Sequence, residues 1–228
     1  ILEPIVGSSI GAAVPRDEYM QAVRDICDKY EVIFIADEVM TGMGRTGKNF
    51  AVDHWNVAPD MICMAKGLCG GYTAMGAVAV KNFIHEAFKK GSGRFAHGFT
   101  FAGNPVSMAA GVAVINYIRK HELIENSMNM GNYLMEQLRQ LAGSYSFIGD
   151  VRGRGLMTGI EFVKDRETKE AFVPKLGVTD KVVSTALDMG LMLYGAGNCA
   201  DGVKGDCVMI APPLTVKRNE IDEIIELF

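Results

Sequence analysis

Apolar and polar residues alternate in blocks along the first half of the chain, and the blocks predict strands and helices in turn. Three continuous apolar runs, over residues 32–37, 61–65 and 74–80, are typical of strands buried on both faces of a parallel sheet. Residues 17–30 have helical spacing, and residues 1–3 look like the end of a further strand. We therefore predict an α/β domain with a mostly parallel sheet, whose functional groups lie at the carboxyl ends of the strands.

The pattern changes near residue 122, where strands and helices stop alternating one for one. A long apolar helix is predicted over 104–121, and an amphipathic helix over 122–141. The later apolar blocks predict strands and helices at 147–151, 156–163, 180–189, 191–194, 208–210 and 220–227. We therefore predict a large domain over 1–121 and a smaller α+β domain over 122–228.

Composition narrows the functional classes. The 228 residues are 49% hydrophobic and 22% charged, which is ordinary for a soluble globular protein. A formal net charge of −4 argues against a surface for nucleic acid or an anionic membrane, and no apolar run is long enough for a membrane span. The five cysteines are odd in number and lack C-x-x-C spacing. We predict reduced thiols in a cytoplasmic protein, with neither a disulfide frame nor a metal site.

One lysine, Lys66, follows an apolar run, and the apolar run before it ends in Asp37 and Glu38. Burying a lysine as a cation is costly, so a buried lysine usually has a paired carboxylate, a lowered pKa or a covalent use. A lysine and a carboxylate at neighbouring strand ends suit pyridoxal phosphate (PLP) chemistry. The amine can form a Schiff base with the cofactor's aldehyde, and the carboxylate can keep the ring nitrogen protonated. This pair predicts an enzyme.

Three glycines between Asp37 and Lys66 match two nucleotide-binding patterns by spacing alone, namely G-x-G-x-x-G and most of a P-loop. A P-loop needs Ser or Thr after its lysine to hold magnesium, and here the residue is Asn49. A dinucleotide-binding turn follows its strand directly, whereas several residues intervene here. We therefore predict a tight turn that carries Arg45 and Lys48 in solvent or near the mouth of the site.

Four ordered blocks of sequence carry a family resemblance. They are Ile35-Ala-Asp-Glu-Val-Met-Thr-Gly-Met-Gly-Arg-Thr-Gly-Lys48 with Ala65-Lys66-Gly67-Leu68, His97-Gly-Phe-Thr-Phe-Ala-Gly-Asn-Pro105, Arg152-Gly-Arg-Gly-Leu-Met157 and Ala211-Pro-Pro-Leu214. The blocks resemble the class III (omega) aminotransferases, which are PLP-dependent enzymes of fold type I. In that family a phosphate-binding glycine/serine turn lies further upstream, so we expect this chain to be a segment that lacks the N-terminal part.

The resemblance implies roles for individual positions. Lys66 would bind the cofactor covalently and shuttle the proton between substrate and cofactor, and Asp37 would pair with the ring nitrogen. Val39 would pack against one face of the ring. Thr100 would donate its hydroxyl to the cofactor phosphate of the neighbouring subunit, with the Phe99 backbone beside it. The resemblance therefore implies a homodimer with shared active sites.

The residues on the substrate side have competing interpretations. Glu3 would gate or orient the substrate, and a buried structural carboxylate is an equally good interpretation. Arg154 is our candidate for binding the substrate carboxylate, with Arg152 and Lys204 as alternatives.

Two departures from the family pattern bear on the substrate. Met40 stands where ornithine and 4-aminobutyrate enzymes have glutamine, and Met209 stands where several members have an arginine that clamps the α-carboxylate. Losing a bidentate clamp disfavours a glutamate-dedicated enzyme. We predict a transaminase that moves an amino group from an ω-amino acid or amine to a 2-oxo acid such as pyruvate. The alternatives are an aminomutase or a decarboxylating transaminase on the same scaffold, and a non-catalytic binding or assembly subunit.

Overall fold

Two β-sheets, one in each half of the chain, organise the fold. The structure is a computed structural model that describes residues 1–228. The helices are α1 (Tyr19–Lys29), α2 (Asn82–Lys90), α3 (Pro105–Lys120), α4 (Leu123–Ser144), α5 (Val178–Asp188) and α6 (Arg218–Leu227). The strands are β1 (Ile35–Asp37), β2 (Met61–Met64), β3 (Ala77–Val80), β4 (Ile148–Arg154), β5 (Met157–Phe162), β6 (Tyr194–Gly195) and β7 (Asp206–Ile210). Short 3₁₀ helices lie at Ala51–Trp55, Lys66–Cys69 and Pro174–Leu176. None of the helices combines the length and the apolar composition that a membrane crossing requires.

The first sheet has the strand order β1-β2-β3. β1 and β2 are parallel, with Ile35 opposite Met61, and Leu2 forms a parallel bridge to Ala36. β3 is antiparallel to β2, with Val80 opposite Met61. The predicted first strand is therefore reduced to a single bridge. The sheet is parallel except at its β3 edge, because the chain returns from β2 to β3 without the crossover helix that a parallel pair needs.

The second sheet has the order β4-β5-β7-β6 and is antiparallel throughout. α4 and α5 pack against it, and α6 packs against α4. Thirteen buried residues form the core between these layers. Its fully buried members include Leu134, Leu138, Leu156, Ile160 and Ile221. Burying a side chain of this size stabilises the fold by about 1.5–3 kcal/mol. This core therefore holds the helices of the second half against its sheet.

A cluster of seven buried residues joins the two halves of the chain. Its members are Ile5, Ala12, Ala51, Met157, Ala196, Cys207 and Met209. The contact is close, because a Cβ added at Gly159 of β5 would lie 2.2 Å from the carbonyl oxygen of Gly11. The domain boundary near residue 122 stays a prediction, and this cluster packs the two halves against each other across it.

Two elements differ from the sequence prediction. α2 is a helix that the prediction lacks. It follows Lys81, which makes no capping hydrogen bond, and it leaves apolar side chains such as Phe88 exposed, so its start and periodic signals are weak. The strand predicted over 191–194 is reduced to the two-residue β6, because Leu191 packs into the core without pairing with β7.

Candidate active site

Asp37 and Lys66 lie at the same edge of the first sheet. Asp37 is the last residue of β1 and stands opposite Cys63 of β2. Lys66 follows the end of β2 after one intervening residue. Because β1 and β2 are parallel, their carboxyl ends meet at one edge. The structure therefore brings together the pair on which the sequence prediction of an enzyme depends.

Lys66 has an unusual backbone and an exposed side chain. It opens the 3₁₀ helix Lys66–Cys69 with a φ of 40°, a positive value that is uncommon for residues other than glycine. It lines a cavity, and it makes no ion pair within the chain. The expectation that this lysine has to overcome a burial cost is therefore wrong for this chain, since its amine is accessible at the cavity wall.

The Asp37 carboxylate is half-buried and only partly satisfied. One oxygen, Oδ1, accepts a hydrogen bond of 3.1 Å from the backbone N–H of Val39, which turns the chain at the end of β1. The other oxygen has no hydrogen-bond partner within the chain. The influence of this carboxylate reaches β2, because burial first and the Asp37 charge second raise the pKa of the Cys63 thiol. Asp37 thus presents a charged, available oxygen at the sheet edge.

The neighbouring carboxylate, Glu38, is used in a different way. It is 1% exposed, and it accepts hydrogen bonds from the Thr41 hydroxyl and from the N–H groups of Ala51 and Val52, the latter two at 2.9 Å. Burial raises the pKa of Glu38 above its ordinary value. These bonds fix both ends of the segment that follows β1 and so position Val39. Adjacent acidic residues in the sequence give no sign of which one is fully bonded and which one is open.

A cavity of about 1040 Å³ opens beside Lys66, which is large enough for a cofactor with a small substrate. Its wall comes from the turns after β1 and β2, from one face of α3 and from the segment over residues 211–215. Apolar and aromatic side chains dominate, and the larger ones are Met40, Met43, Tyr72, Tyr117, Ile118, Leu123 and Leu214. Lys66 and Arg45 are the only charged residues in the wall.

The part of the wall formed by α3 escaped the sequence analysis. Ala110, Ala113, Val114 and Tyr117 line the cavity, and they recur at the three- and four-residue spacing of one helix face. The sequence predicts a long apolar helix here and assigns none of its residues to the site. The signal that was available is the placement of alanines on this face, which leaves room beside the helix.

Arg45 belongs to the cavity wall, whereas Lys48 is exposed. The sequence predicted that these two residues lie in solvent or near the mouth of the site. Lys48 lies in solvent, and Arg45 lies in the cavity wall. The Arg45 Nη1 atom donates to the carbonyl oxygens of Leu156 at 3.0 Å and Pro212 at 2.5 Å. The Arg45 carbonyl accepts from the Leu156 N–H at 3.0 Å and from the Ser127 hydroxyl at 3.1 Å. The glycine-rich turn is thus a bonded link between the two halves of the chain.

The other cations proposed from sequence lie away from the cavity. The Arg152 guanidinium bonds Glu161, Asp150 at 3.0 Å, and the carbonyl oxygens of Ile10 at 2.7 Å and Gly11 at 2.8 Å. Burial alone would lower the pKa of Arg152, but these carboxylates raise it instead.

Arg154 forms an ion pair of 3.7 Å with Asp17, and Lys204 is exposed. Neither Arg154 nor Lys204 lines the cavity, and their predicted roles with substrate stay predictions.

Glu3 and Met209 occupy defined positions near the junction of the halves. Glu3 is half-buried, and its Oε2 atom accepts from the Gly7 N–H at 2.9 Å. Met209 is 1% exposed in the seven-residue cluster, and Met40 packs against that cluster. The position where several family members have a clamping arginine is therefore a sealed apolar contact in this chain. The role of Glu3 toward substrate stays a prediction.

Phe99 and Thr100 lie on an exposed loop outside the cavity. Phe99 is 71% exposed, and its ring packs edge to face on His97 with centroids 4.8 Å apart. Within this chain neither residue reaches the site. Their predicted contribution to a neighbouring subunit stays a prediction.

Comparison with known proteins places this geometry in a family. Residues 1–228 match the model of the class III aminotransferases. The chain is 41% identical over 228 residues to the uncharacterized aminotransferase YodT of Bacillus subtilis, covering 100% of this chain and 51% of that protein. It is 38% identical over 228 residues to the putrescine–pyruvate aminotransferase of Pseudomonas aeruginosa, covering 100% of this chain and 47% of that protein. A solved transaminase from the marine bacterium Virgibacillus matches with a TM-score of 0.94 at 34% identity, covering 99% of this chain and 50% of that one.

The chain belongs to the class III aminotransferases. This membership confirms the predicted enzyme class and family, and the solved relatives confirm the predicted fold class. The chain spans about half the length of the curated relatives it matches. Enzymes of this class use PLP, which confirms the cofactor prediction at the level of the family.

The residues at the sheet edge fit that cofactor. PLP requires a primary amine for its aldehyde and a carboxylate for its ring nitrogen. Lys66 provides an accessible amine, and Asp37 provides a carboxylate oxygen that no other group in the chain occupies. Lys66 also lines a cavity of about 1040 Å³, whose wall does not include Asp37.

Proposed function

We propose that this chain carries the catalytic lysine and the ring-nitrogen carboxylate of a PLP-dependent transaminase. The enzyme would transfer an amino group from an amine or ω-amino acid to a 2-oxo acid such as pyruvate. The single observation that carries this proposal is the placement of Lys66 and Asp37 at one edge of a parallel strand pair, where Lys66 also lines a cavity.

Each residue has a defined task in this proposal. When bound, PLP supplies an electron sink for the bonds of the amine-bearing carbon. Lys66 would hold the cofactor covalently through Nζ and would then carry a proton between substrate and cofactor. Asp37 would accept a charge-assisted hydrogen bond from the ring N–H through its free oxygen. Val39, which follows Asp37 after the fixed turn, would cover one face of the ring.

Support for a pyruvate-type acceptor comes from the apolar wall. Met40 lines the cavity, and Met209 is sealed in the cluster behind it, so neither of these positions offers a polar clamp for a dicarboxylate. The resemblance to a putrescine–pyruvate aminotransferase, at 38% identity, favours the same class of acceptor.

A homodimer in the cytoplasm completes the proposal. Phe99 and Thr100 are exposed and lie outside this chain's own cavity, which suits residues that act on a partner's cofactor phosphate. Neighbouring apolar side chains are also exposed, among them Phe101 at 80% and Val106 at 71%, and a subunit interface would cover them.

A second reaction on the same residues is favoured by one relative. The chain is 38% identical over 221 residues to a leucine/methionine racemase of Thermococcus litoralis, covering 97% of this chain and 46% of that protein. Lys66 and Asp37 would serve a racemase as well as a transaminase, since both reactions begin by removing a proton from the amine-bearing carbon.

Visible absorbance of the natural polypeptide purified with PLP tests the proposal. We expect a yellow absorbance band that bleaches on addition of a simple ω-amine and returns on addition of pyruvate. A band that persists after the amine is added, with no release of a deaminated donor but with inversion of a chiral amino acid, would favour the racemase. Absence of the band in an intact dimer would contradict both.

A further inference from the structure

The Arg45 guanidinium has one bonded side and one free side. Both of its hydrogen bonds to carbonyl oxygens, those of Leu156 and Pro212, come from Nη1. The Nε and Nη2 atoms bond no group in the chain, and they are absent from the buried polar atoms that lack a partner. They therefore keep contact with solvent in a residue that lines the cavity. The edge formed by Nε and Nη2 is one that binds a carboxylate through two parallel hydrogen bonds.

No acidic group within residues 1–228 forms an ion pair with this guanidinium. Arg45 has no carboxylate within ion-pair distance, in contrast to Arg152 and Arg24, and the cavity wall contains no aspartate or glutamate. Burial lowers the pKa of Arg45, and no opposing influence accompanies it. A half-buried cation without an anion is costly, and an anionic ligand would offset that cost.

We propose that Arg45 binds the substrate carboxylate, the group shared by 2-oxo acids and ω-amino acids. This assignment rests on the transaminase function proposed above. Arg45 and Lys66 are the two cations of one cavity, so a molecule held at Lys66 shares that cavity with a single arginine. Since Nη1 is anchored, the free edge is held in place before substrate arrives, which lowers the entropy lost on binding.

The anchoring also explains how this chain does without the arginine found at position 209 in several family members. Met209 and Met40 make that side of the site apolar. Arg152 is fully engaged by two carboxylates and two carbonyls, and Arg154 lies outside the wall. Arg45 is the remaining one of these arginines that lines the cavity and has donors without a partner in the chain.

The Arg45→Gln variant of the natural polypeptide, loaded with PLP, tests this assignment. Removing a charge-assisted bidentate contact should raise KM for pyruvate by roughly 10- to 100-fold. The kcat/KM for propanal as a carboxylate-free acceptor, and for 1-phenylethylamine as a carboxylate-free donor, should change by less than about twofold. Arg45→Lys, which keeps the charge but loses the fork, should give an intermediate KM for pyruvate.

Lys48→Gln is the matched control, because it removes a positive charge from the same turn at an exposed position outside the wall. It should leave both acceptors unaffected. Isothermal titration of pyruvate into wild type and Arg45→Gln adds a binding measurement that does not depend on turnover. Weaker pyruvate binding in Arg45→Gln alone supports the assignment even if the protein proves not to be a transaminase.

Three results would overturn it. One is an equal loss for pyruvate and propanal in Arg45→Gln, which would mean that Arg45 only links the two halves of the chain. Another is an unchanged KM and an unchanged dissociation constant for pyruvate. The third is that Arg154→Gln, and not Arg45→Gln, produces the selective loss. If Arg45→Gln fails to fold, Arg45→Lys decides, and a wild-type KM for pyruvate in that folded variant would overturn the bidentate contact.

Discussion

The two ends of the β1–β2 pair differ in how completely their charged side chains are hydrogen-bonded. At the amino end, Asp60 is 6% exposed, and it accepts from the Phe34 N–H at 2.8 Å, from Arg24 at 2.9 Å and from Lys81 at 3.0 Å. At the carboxyl end, Asp37 accepts a single backbone hydrogen bond, and Lys66 is exposed without an ion pair.

Within one small sheet, the amino end therefore contributes to stability, and the carboxyl end is available for chemistry. A carboxylate that is saturated by an amide and two cations has no capacity left for a ligand, and it ties α1 and the end of β3 to the strands. A carboxylate and an amine that are left unsaturated contribute little to folding, but they are available to a cofactor. Substitutions at each end of the two strands test this separation.

Lys66→Ala should have the largest effect. Transamination should fall by at least about 10²- to 10⁴-fold, because the amine is both the covalent attachment point and the proton carrier. The melting temperature should change little, since the side chain is exposed. Steady-state rates with an amine and pyruvate measure this, and Lys48→Ala is the exposed control. Near-normal turnover in Lys66→Ala would remove the catalytic assignment.

Asp37→Asn should have the next largest effect on turnover. The amide oxygen can still accept from Val39, so the turn is kept, but the negative charge opposite the ring nitrogen is lost. We expect turnover to fall by roughly 10²- to 10³-fold, in line with the removal of one preorganised electrostatic contact. Pre-steady-state kinetics of the amine half-reaction would measure it. A rate within a factor of two of wild type would contradict the pairing with the ring.

Asp60→Ala should affect stability and not chemistry. It leaves the buried Phe34 N–H without its side-chain acceptor, and it leaves the Arg24 guanidinium, 11% exposed, with Asp28 as its remaining ion pair. Breaking a buried charged network of this kind costs about 3 kcal/mol or more. Urea unfolding would measure the loss. A change well below about 1 kcal/mol would show that the two ends of the strands are not distinct.

The pH dependence of stability should also show that Asp60 stabilises the fold. Burial alone would raise the pKa of Asp60, but the Phe34 N–H, Lys81 and Arg24 hold it below its ordinary value. For a carboxyl whose pKa is lower in the folded state, the stabilisation is present above the unfolded pKa, about 3.9, and is lost as the pH falls through the folded value. Wild type should therefore lose stability below about pH 4 more steeply than Asp60→Asn.

Glu38 provides the contrast to Asp60 in the pH dependence of stability, because burial raises the pKa of Glu38. Its contribution has the opposite sign: it is present below the unfolded pKa, about 4.3, and is lost as the pH rises through the folded value. Parallel acid unfolding curves for wild type and Asp60→Asn would contradict the assignment of the acid-sensitive group.

Lys81→Ala should have the smallest effect. Its side chain is 43% exposed, and solvent screens its contact with Asp60. We expect a loss of under about 1 kcal/mol in the free energy of unfolding. A loss as large as that of Asp60→Ala would mean that the exposed cation dominates the network, and the screening argument would then fail.

Much of the site followed from local sequence. The apolar runs before Asp37 and Lys66 predicted parallel strands, and parallel strands place their carboxyl ends together whatever the exact bounds. The bonding of Arg45 could not be predicted, because its partners Leu156 and Pro212 are more than a hundred positions away in the chain. The same holds for Arg152, whose carbonyl partners are in the first half.

The sequence by itself determined the class of chemistry, since a lysine, a carboxylate and the motifs around them are local features that can be recognised without knowing how the chain packs. It also determined the alternation of elements, because the apolar period is set by strand and helix geometry. Only the tertiary structure decided which charges are saturated and which are free. Glu38 and Asp37 are adjacent in the chain, yet one is sealed by three hydrogen bonds and the other faces an open edge. Saturation depends on groups brought together by folding, and the order of residues along the chain does not specify them.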